Sequence, residues 1–385
     1  MDTPAQIISA ISGLTLILIV LWDAFETVIL PRRVTRRVRL ARLFYRLVWR
    51  LWLRVAAVVS KITGREANLS YFGPLSLIML LSVWAFGLVC GFALLLWADG
   101  SAVKVLDGNA DFLTDLYLSG TTFFTLGLGD VVPRTRLARL LIVIEAGMGI
   151  GFLALLVGYF PALNQSFSRR EVNISLLDAR AGSPATAGEM LRRHSGEGGP
   201  DALRALFADW EIWSAELLES HLSYPVLAYF RSQHDNQSWV AALTAVMDAS
   251  ALVIAGASNF EQACQRQAQL TFAITEHTVF DLSYIFGLAP SEPKHDRLPP
   301  SELARLRAVL AESGLMLREG EDADAMLAEL RGKYEPYLNS LSAHLRMDIP
   351  PWLPGPGWVD NWQTSFWNPS GGPRVRPGRV KGRHF

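Results

Sequence analysis

The stretch Thr125-Leu126-Gly127-Leu128-Gly129-Asp130 has the residue types and spacing to hold a bare cation. A dehydrated monovalent ion needs a cage of oxygens, and successive backbone carbonyls supply one if all of them aim at one axis. Gly127 and Gly129 permit the left-handed backbone that such an arrangement requires. Leu126 and Leu128 are then expected to point away, into surrounding protein. Thr125 adds a hydroxyl at the inner end. Asp130 sets a carboxylate at the outer mouth, where a ring of such groups concentrates cations. The candidate ion-binding residues are therefore Thr125, Leu126, Gly127, Leu128 and Gly129, with Asp130 at the mouth.

Such a loop works only where something holds it. The chain has 385 residues, 50% hydrophobic and 19% charged, and the long apolar runs lie in its N-terminal part. A spanning helix needs about 20 mostly apolar residues. Residues 75–97 supply them with no charge, and Pro74 precedes them, where a missing N–H costs little. Residues 137–160 form a second span, interrupted by Arg139 and Glu145, and residues 7–30 a third that contains Asp23 and Glu26. A charge at mid-bilayer costs about 3 kcal/mol, so these two acids are expected near the span's end, meeting the arginines that follow. Residues 111–124 have the length of a short helix whose carbonyl end aims into the pore, favouring a cation there. Irregular backbone at this depth is tolerated only when buried or lining water.

Orientation follows from basic residues. Arg32, Arg33, Arg36, Arg37, Arg39, Arg42, Arg46, Arg50, Arg54, Lys61 and Arg65 crowd between the first two spans, which places this segment in the cytosol. The N-terminus is then outside, and the chain after about residue 165 is cytosolic. The outer loop agrees, with Asp99, Asp107, Asp111, Asp115 and Asp130 against few bases. Arg42, Arg46, Arg50 and Arg54 recur every fourth residue among Leu, Phe, Tyr, Val and Trp. That spacing suits either a voltage sensor or an amphipathic helix on anionic headgroups, with Trp49 and Trp52 as anchors. The second is preferred, because one preceding span cannot supply a sensor's acidic countercharges. Formal net charge is zero, which gives no reason to expect a nucleic-acid partner. Cys90 and Cys264 are far apart and suggest neither a disulfide framework nor a zinc site.

From about residue 70 to 168 the chain resembles the two-span pore of potassium channels of the prokaryotic type, whose filter reads TVGYG followed by Asp. The matching residues are Asp115, Tyr117, Ser119, Thr122, Thr125, Gly127, Gly129, Asp130, Pro133 and the helix that follows. The resemblance implies a homotetramer in which K+ sits on Thr125, Leu126, Gly127 and Leu128. It implies passive flow of K+, and of Na+ where the filter relaxes, with no cofactor beyond the permeant ions. Three positions depart from the family's pattern. Leu126 replaces its usual Val or Ile, Phe124 its frequent Thr, and Leu128 its Tyr or Phe. A tyrosine hydroxyl can brace a filter and leucine cannot, which bears on strict potassium selectivity.

In the span after the loop, Gly147, Gly149 and Gly151 cluster, and Pro161 follows near the inner end; these four are the gating candidates. Close packing of the glycines against the outer helix is an equally open reading. Glu145 reads as a structural partner behind the filter. Beyond Ser168 helical patterns recur near 185–195, 201–220, 237–257, 260–286, 301–317 and 321–345, with no strand-rich stretch and no repeat. The run 239–257 is apolar enough for a span, yet Asp248 and its alanines favour a buried soluble helix. His277 and Asp281 share a helix face, as an ordinary hydrogen-bonded pair or, less commonly, a metal or proton sensor. Glu219 with His221, and His234 with Asp235, stand out similarly. The fold class is thus an all-α membrane protein with a potassium-channel-like pore (outer helix, pore helix, filter, inner helix), one extra N-terminal span and a helical cytosolic domain. The divisions are 1–66, 67–168, 169–346, and a basic, mostly disordered tail 347–385. A multi-pass protein of the plasma or inner membrane is expected. The competing readings are a non-conducting scaffold or sensor with a channel-like core, and a membrane-tethered enzyme. The enzyme reading lacks any nucleophile–base or metal motif.

Overall fold

A computed structural model of the chain describes residues 3–30, 39–63, 65–105, 110–232, 237–256, 261–293 and 295–355, with backbone alone for 59–63 and 65–67. Arg32, Arg33, Arg36, Arg37, Asp107, His234, Asp235 and the basic end from Arg374 to Arg383 lie outside the described residues. The chain divides into two compact units, 1–165 and 166–385.

In the first unit, helix α1 (Thr3–Ala24) ends in one wider turn, Phe25–Ile29. The amphipathic α2 (Leu40–Thr63) and short α3 (Arg65–Ser70) lead into α4 (Phe72–Ala98). α1 and α4 run antiparallel and touch closely. A Cβ on Gly13 would lie 2.6 Å from the Gly91 carbonyl oxygen, and one on Gly87 2.8 Å from Val20. The Ser9 hydroxyl donates to the Leu94 carbonyl at 2.8 Å. Small residues let helices meet at backbone distance, which is how apolar helices gain attraction inside lipid.

Asp23 is buried where α1 meets α4, but its partners differ from those expected. It accepts the Trp84 indole N–H at 3.0 Å and the Ala41 amide at 3.0 and 3.2 Å, so it caps α2. Glu26 pairs with Arg39 at 3.5 Å, and the Asp23 charge acts on the same guanidinium. A helix N-terminus offers unsatisfied N–H groups, and a carboxylate satisfies them without a cation.

Helix α5 (Phe112–Phe123) sits between β1 (Val103–Lys104) and β2 (Val132–Pro133), which pair antiparallel with Val103 opposite Pro133. Leu96, Val103, Leu118 and Ala138 form a buried cluster that ties α4, β1 and α5 to the start of α6 (Arg136–Ala181). α6 continues as helix past Pro161. Residues 136–165 belong to the first unit and 166–181 to the second.

The second unit adds α7 (Ala187–Arg193), α8 (Gly199–Ser223), a short 3-10 turn (Pro225–Tyr229), α9 (Trp239–Gly256), α10 (Gln262–Phe286), α11 (Pro300–Glu312) and α12 (Glu321–Leu345). α9 is as apolar as a span, yet α7, α8, α10 and α12 pack around it and leave almost none of it open. Its one charge, Asp248, is fully buried. Arg297 grips it with both terminal nitrogens, at 2.6 and 3.3 Å, and the Tyr334 hydroxyl donates to it. Arg297 also donates to Glu335 and to the Pro350 carbonyl, each at 2.9 Å. Residues 347–353, read from the sequence as the start of the tail, are packed onto this unit: Met347, Trp352 and Leu353 are buried, and Gly188 donates its amide to Trp352. α11 stops at Glu312 rather than reaching 317, because Gly314 takes φ of +89°.

Two stability measurements follow. Arg297→Met leaves Asp248 buried and unpaired, which costs about 3–5 kcal/mol; thermal unfolding of the second unit should occur at a clearly lower temperature, and adding Asp248→Asn should restore part of the loss. His221 is buried, and burial first, the Arg170 charge next, push it from 6.5 down to about 3. Below pH 6.5 the unfolded chain therefore binds a proton that the folded chain refuses. Stability is full above that value and falls as pH drops toward 3, by up to about 1.4 kcal/mol per pH unit. His221→Gln should flatten that slope in an unfolding series between pH 7 and 4.

Candidate functional site

α5 is built as a plug. Asp111 caps it in both directions: its side chain accepts the Thr114 amide at 2.9 Å, and the Thr114 hydroxyl accepts the Asp111 amide at 3.3 Å. Asp115 is fully buried in the first turn and accepts the Ser101 hydroxyl at 2.6 Å. Ser119 anchors the middle, donating to the Val89 carbonyl of α4 at 2.8 Å and bonding to Glu145 of α6. Glu145 is thus buried and joins α6 to α5.

At its far end α5 turns back on itself. The amide of Phe124 donates to Gly120, that of Thr125 to Thr122 at 2.9 Å, and that of Leu126 to Thr121 at 2.7 Å. The helix's last carbonyls are satisfied in this way. The next carbonyls are treated differently: among the described residues no group donates to the oxygens of 125–129.

The backbone there alternates. Thr125, Gly127 and Gly129 have φ of +57°, +55° and +80°, whereas Leu126 and Leu128 stay out of the left-handed region. Left-handed backbone at a β-branched residue such as Thr125 is an outlier that the surroundings must enforce. Space is not why glycine stands at 127 and 129, because an added Cβ would meet nothing within 4 Å; the backbone angle is the reason. Leu126 and Leu128, expected to face surrounding protein, are 61% and 63% exposed in one chain. Phe124 is similarly exposed.

Leu128 offers no hydroxyl, but the loop has one from another place. Tyr117 of α5 donates to the Asp130 carboxylate at 2.7 Å, tying the loop's outer end to the plug. Tyr117 counts among the residues that match the potassium-channel pattern, yet spacing alone assigned it no role, because the contact depends on how α5 is set against the loop. Thr135 fixes the return by donating to Asp99 at 2.5 Å.

The glycines of α6 separate by environment. A Cβ on Gly149 would stand 2.0 Å from the Phe123 carbonyl oxygen, so here the inner helix touches the end of α5. Gly147 and Gly151 have nothing within 4 Å. In the second unit His277 meets the buried Asp281 at 3.1 Å, and no group of three or more metal-ligating side chains occurs among the described residues.

The comparisons define the class. Residues 78–165, from outer helix through loop to inner helix, match the family model described as "Ion channel", a domain of the two-transmembrane potassium-channel type. This region matches an ion-channel domain, and it lies among helices long and apolar enough to cross a membrane. Over 261 residues the chain is 26% identical to the uncharacterized membrane protein YdjJ of Bacillus subtilis strain 168, covering 64% of this chain and 73% of that one. No solved structure matches the chain.

Gly149→Ala should prevent α5 and α6 from meeting, since overpacking of this kind costs about 1–3 kcal/mol or more. The purified protein should unfold at a lower temperature than the parent, whereas Gly151→Ala should unfold like it.

Proposed function

We propose that the protein is a homotetrameric channel that passes monovalent cations, potassium foremost, through the backbone of Thr125–Gly129. The carrying observation is the run of five carbonyls without donors on a backbone that alternates in and out of the left-handed region. Alternation of that kind turns successive carbonyls toward one side, where in a strand they would take opposite sides. Unpartnered carbonyls at membrane depth are costly unless water or an ion meets them. K+ held by Thr125, Leu126, Gly127 and Leu128 satisfies them, and Asp130 gathers cations at the mouth.

Four copies are supported by the same loop. One loop cannot enclose an axis, and Phe124, Leu126 and Leu128 lack cover within their own chain. Neighbouring copies would bury them. In this reading Tyr117 supplies the bracing that Leu128 omits, and Gly147, Gly151 and Pro161 remain the places where the inner helix can move. The basic segment between the first two spans supports a cytosolic placement of α2, with the N-terminus outside and the second unit inside the cell.

Purified protein in liposomes tests the proposal. Mass measurement in detergent should give four copies, and K+ flux should exceed Na+ flux. Gly127→Ala should lose flux and keep assembly, because its Cβ disfavours the required angle. Leu128→Tyr should raise the K+ to Na+ ratio. A parent-like Gly127→Ala overturns the filter assignment.

Topology has its own check. A cysteine at the exposed Lys104 should react with a reagent that cannot cross the membrane, and one at Ser60 should not. The reverse pattern would invert the pore.

A further inference from the structure

We infer that α2 is a binding surface for acidic phospholipid headgroups, and that the lipid charge it meets adjusts flux through the pore. The second half rests on the channel reading; the first does not. α2 is held at one membrane face by both spans that flank it. Asp23, at the end of α1, caps its first turn. Trp49 packs edge-on against Phe72, the first residue of α4, with centroids 4.5 Å apart, and Trp52 lies 5.8 Å from the same ring. The Trp52 indole donates to the Asn68 carbonyl at 3.2 Å. Because α1 and α4 are antiparallel, the end of one and the start of the other lie on the same side of the bilayer.

The side of α2 turned to the protein carries Ala41, Trp49 and Ala56, all buried. Its outer side carries Leu43, Leu47, Leu51, Val55 and Val58, which are 48–72% exposed. Arg42, Arg46, Arg50 and Arg54 run beside that stripe at every fourth position, and none makes an ion pair among the described residues. An apolar stripe flanked by uncompensated arginines at a membrane face matches one occupant, the boundary of an anionic leaflet. The leucines enter the acyl layer and the guanidiniums meet phosphates. A voltage sensor would need acidic partners for these arginines, and none pairs with them among the described residues.

The linkage to the pore is physical. Asp23 joins the α2 amide end to Trp84 in the middle of the outer helix. The same outer helix supplies the Val89 carbonyl that Ser119 of the pore helix holds. A shift of α2 on the surface therefore bears on the helix that seats α5.

The test uses the full chain. Detergent-purified protein is offered phosphatidylglycerol, phosphatidylcholine or inorganic phosphate, and retained lipid is measured by native mass spectrometry. Phosphatidylglycerol should be retained preferentially and inorganic phosphate should not displace it. Changing all four arginines to Gln should abolish the preference, each contributing about five-fold. If that variant does not fold, Arg42→Gln/Arg46→Gln and Arg50→Gln/Arg54→Gln give the same reading. Equal retention of the two lipids, displacement by phosphate, or a parent-like variant overturns the surface. In liposomes, flux should rise several-fold with phosphatidylglycerol in the parent and not in the variant. Flux indifferent to lipid overturns the coupling. Absence of flux in every lipid, with phosphatidylglycerol still retained, supports the surface and counts against the channel reading instead.

Discussion

Backbone that leaves a helix inside a bilayer must find partners for its polar groups, and among the described residues the segment after α5 finds them for the amides of 124–127 but not for the carbonyls of 125–129. Most of the first unit serves that imbalance. The Asp111 cap and the buried Asp115–Ser101 bond fix where α5 begins. The Ser119–Val89–Glu145 node fixes its depth between outer and inner helices. Gly149 lets α6 come up against the carbonyl of Phe123, two residues before the left-handed residues begin. A loop held at so many points can keep Thr125 at an angle that a threonine left to itself would abandon.

The N-terminal helix solves a different problem. In lipid, apolar surface gives no reason for two helices to associate, so contact must come from fit and from polar bonds. Gly13, Gly87 and Gly91 supply the fit, and Ser9 and Asp23 supply the bonds. Asp23 does two things at once, capping α2 and holding Trp84. A charge that is costly in a span is tolerated here because the helix end needs an acceptor.

The second unit uses the same economy. α9 is as apolar as a span, and α7, α8, α10 and α12 pack around it. Asp248 is its only charge, and Arg297, Tyr334 and Glu335 close around it together with the segment that follows α12. Trp352 lies over Arg297 and Arg331, so the last described residues seal the network. His221 is buried and His344 half-buried, and burial pushes both imidazoles toward the neutral form, which makes them structural groups.

What could be read from residues alone was whatever depends on local order. The long apolar runs, the short helix before the loop, the glycines at 127 and 129, and the helices of the second unit are set by neighbours in the chain, and length, period and backbone freedom reveal them. Glu145 could be placed behind the loop because a carboxylate in an apolar span needs a partner. The contacts that join distant segments could not be read: Tyr117 reaching Asp130, Asp23 holding an amide and an indole, Trp352 packing onto Arg297, and Gly149 serving approach while Gly147 and Gly151 stay open. Each depends on how one helix is rotated and set in depth against another. That rotation is decided by the sum of many weak packing contacts, and no single stretch of sequence contains it.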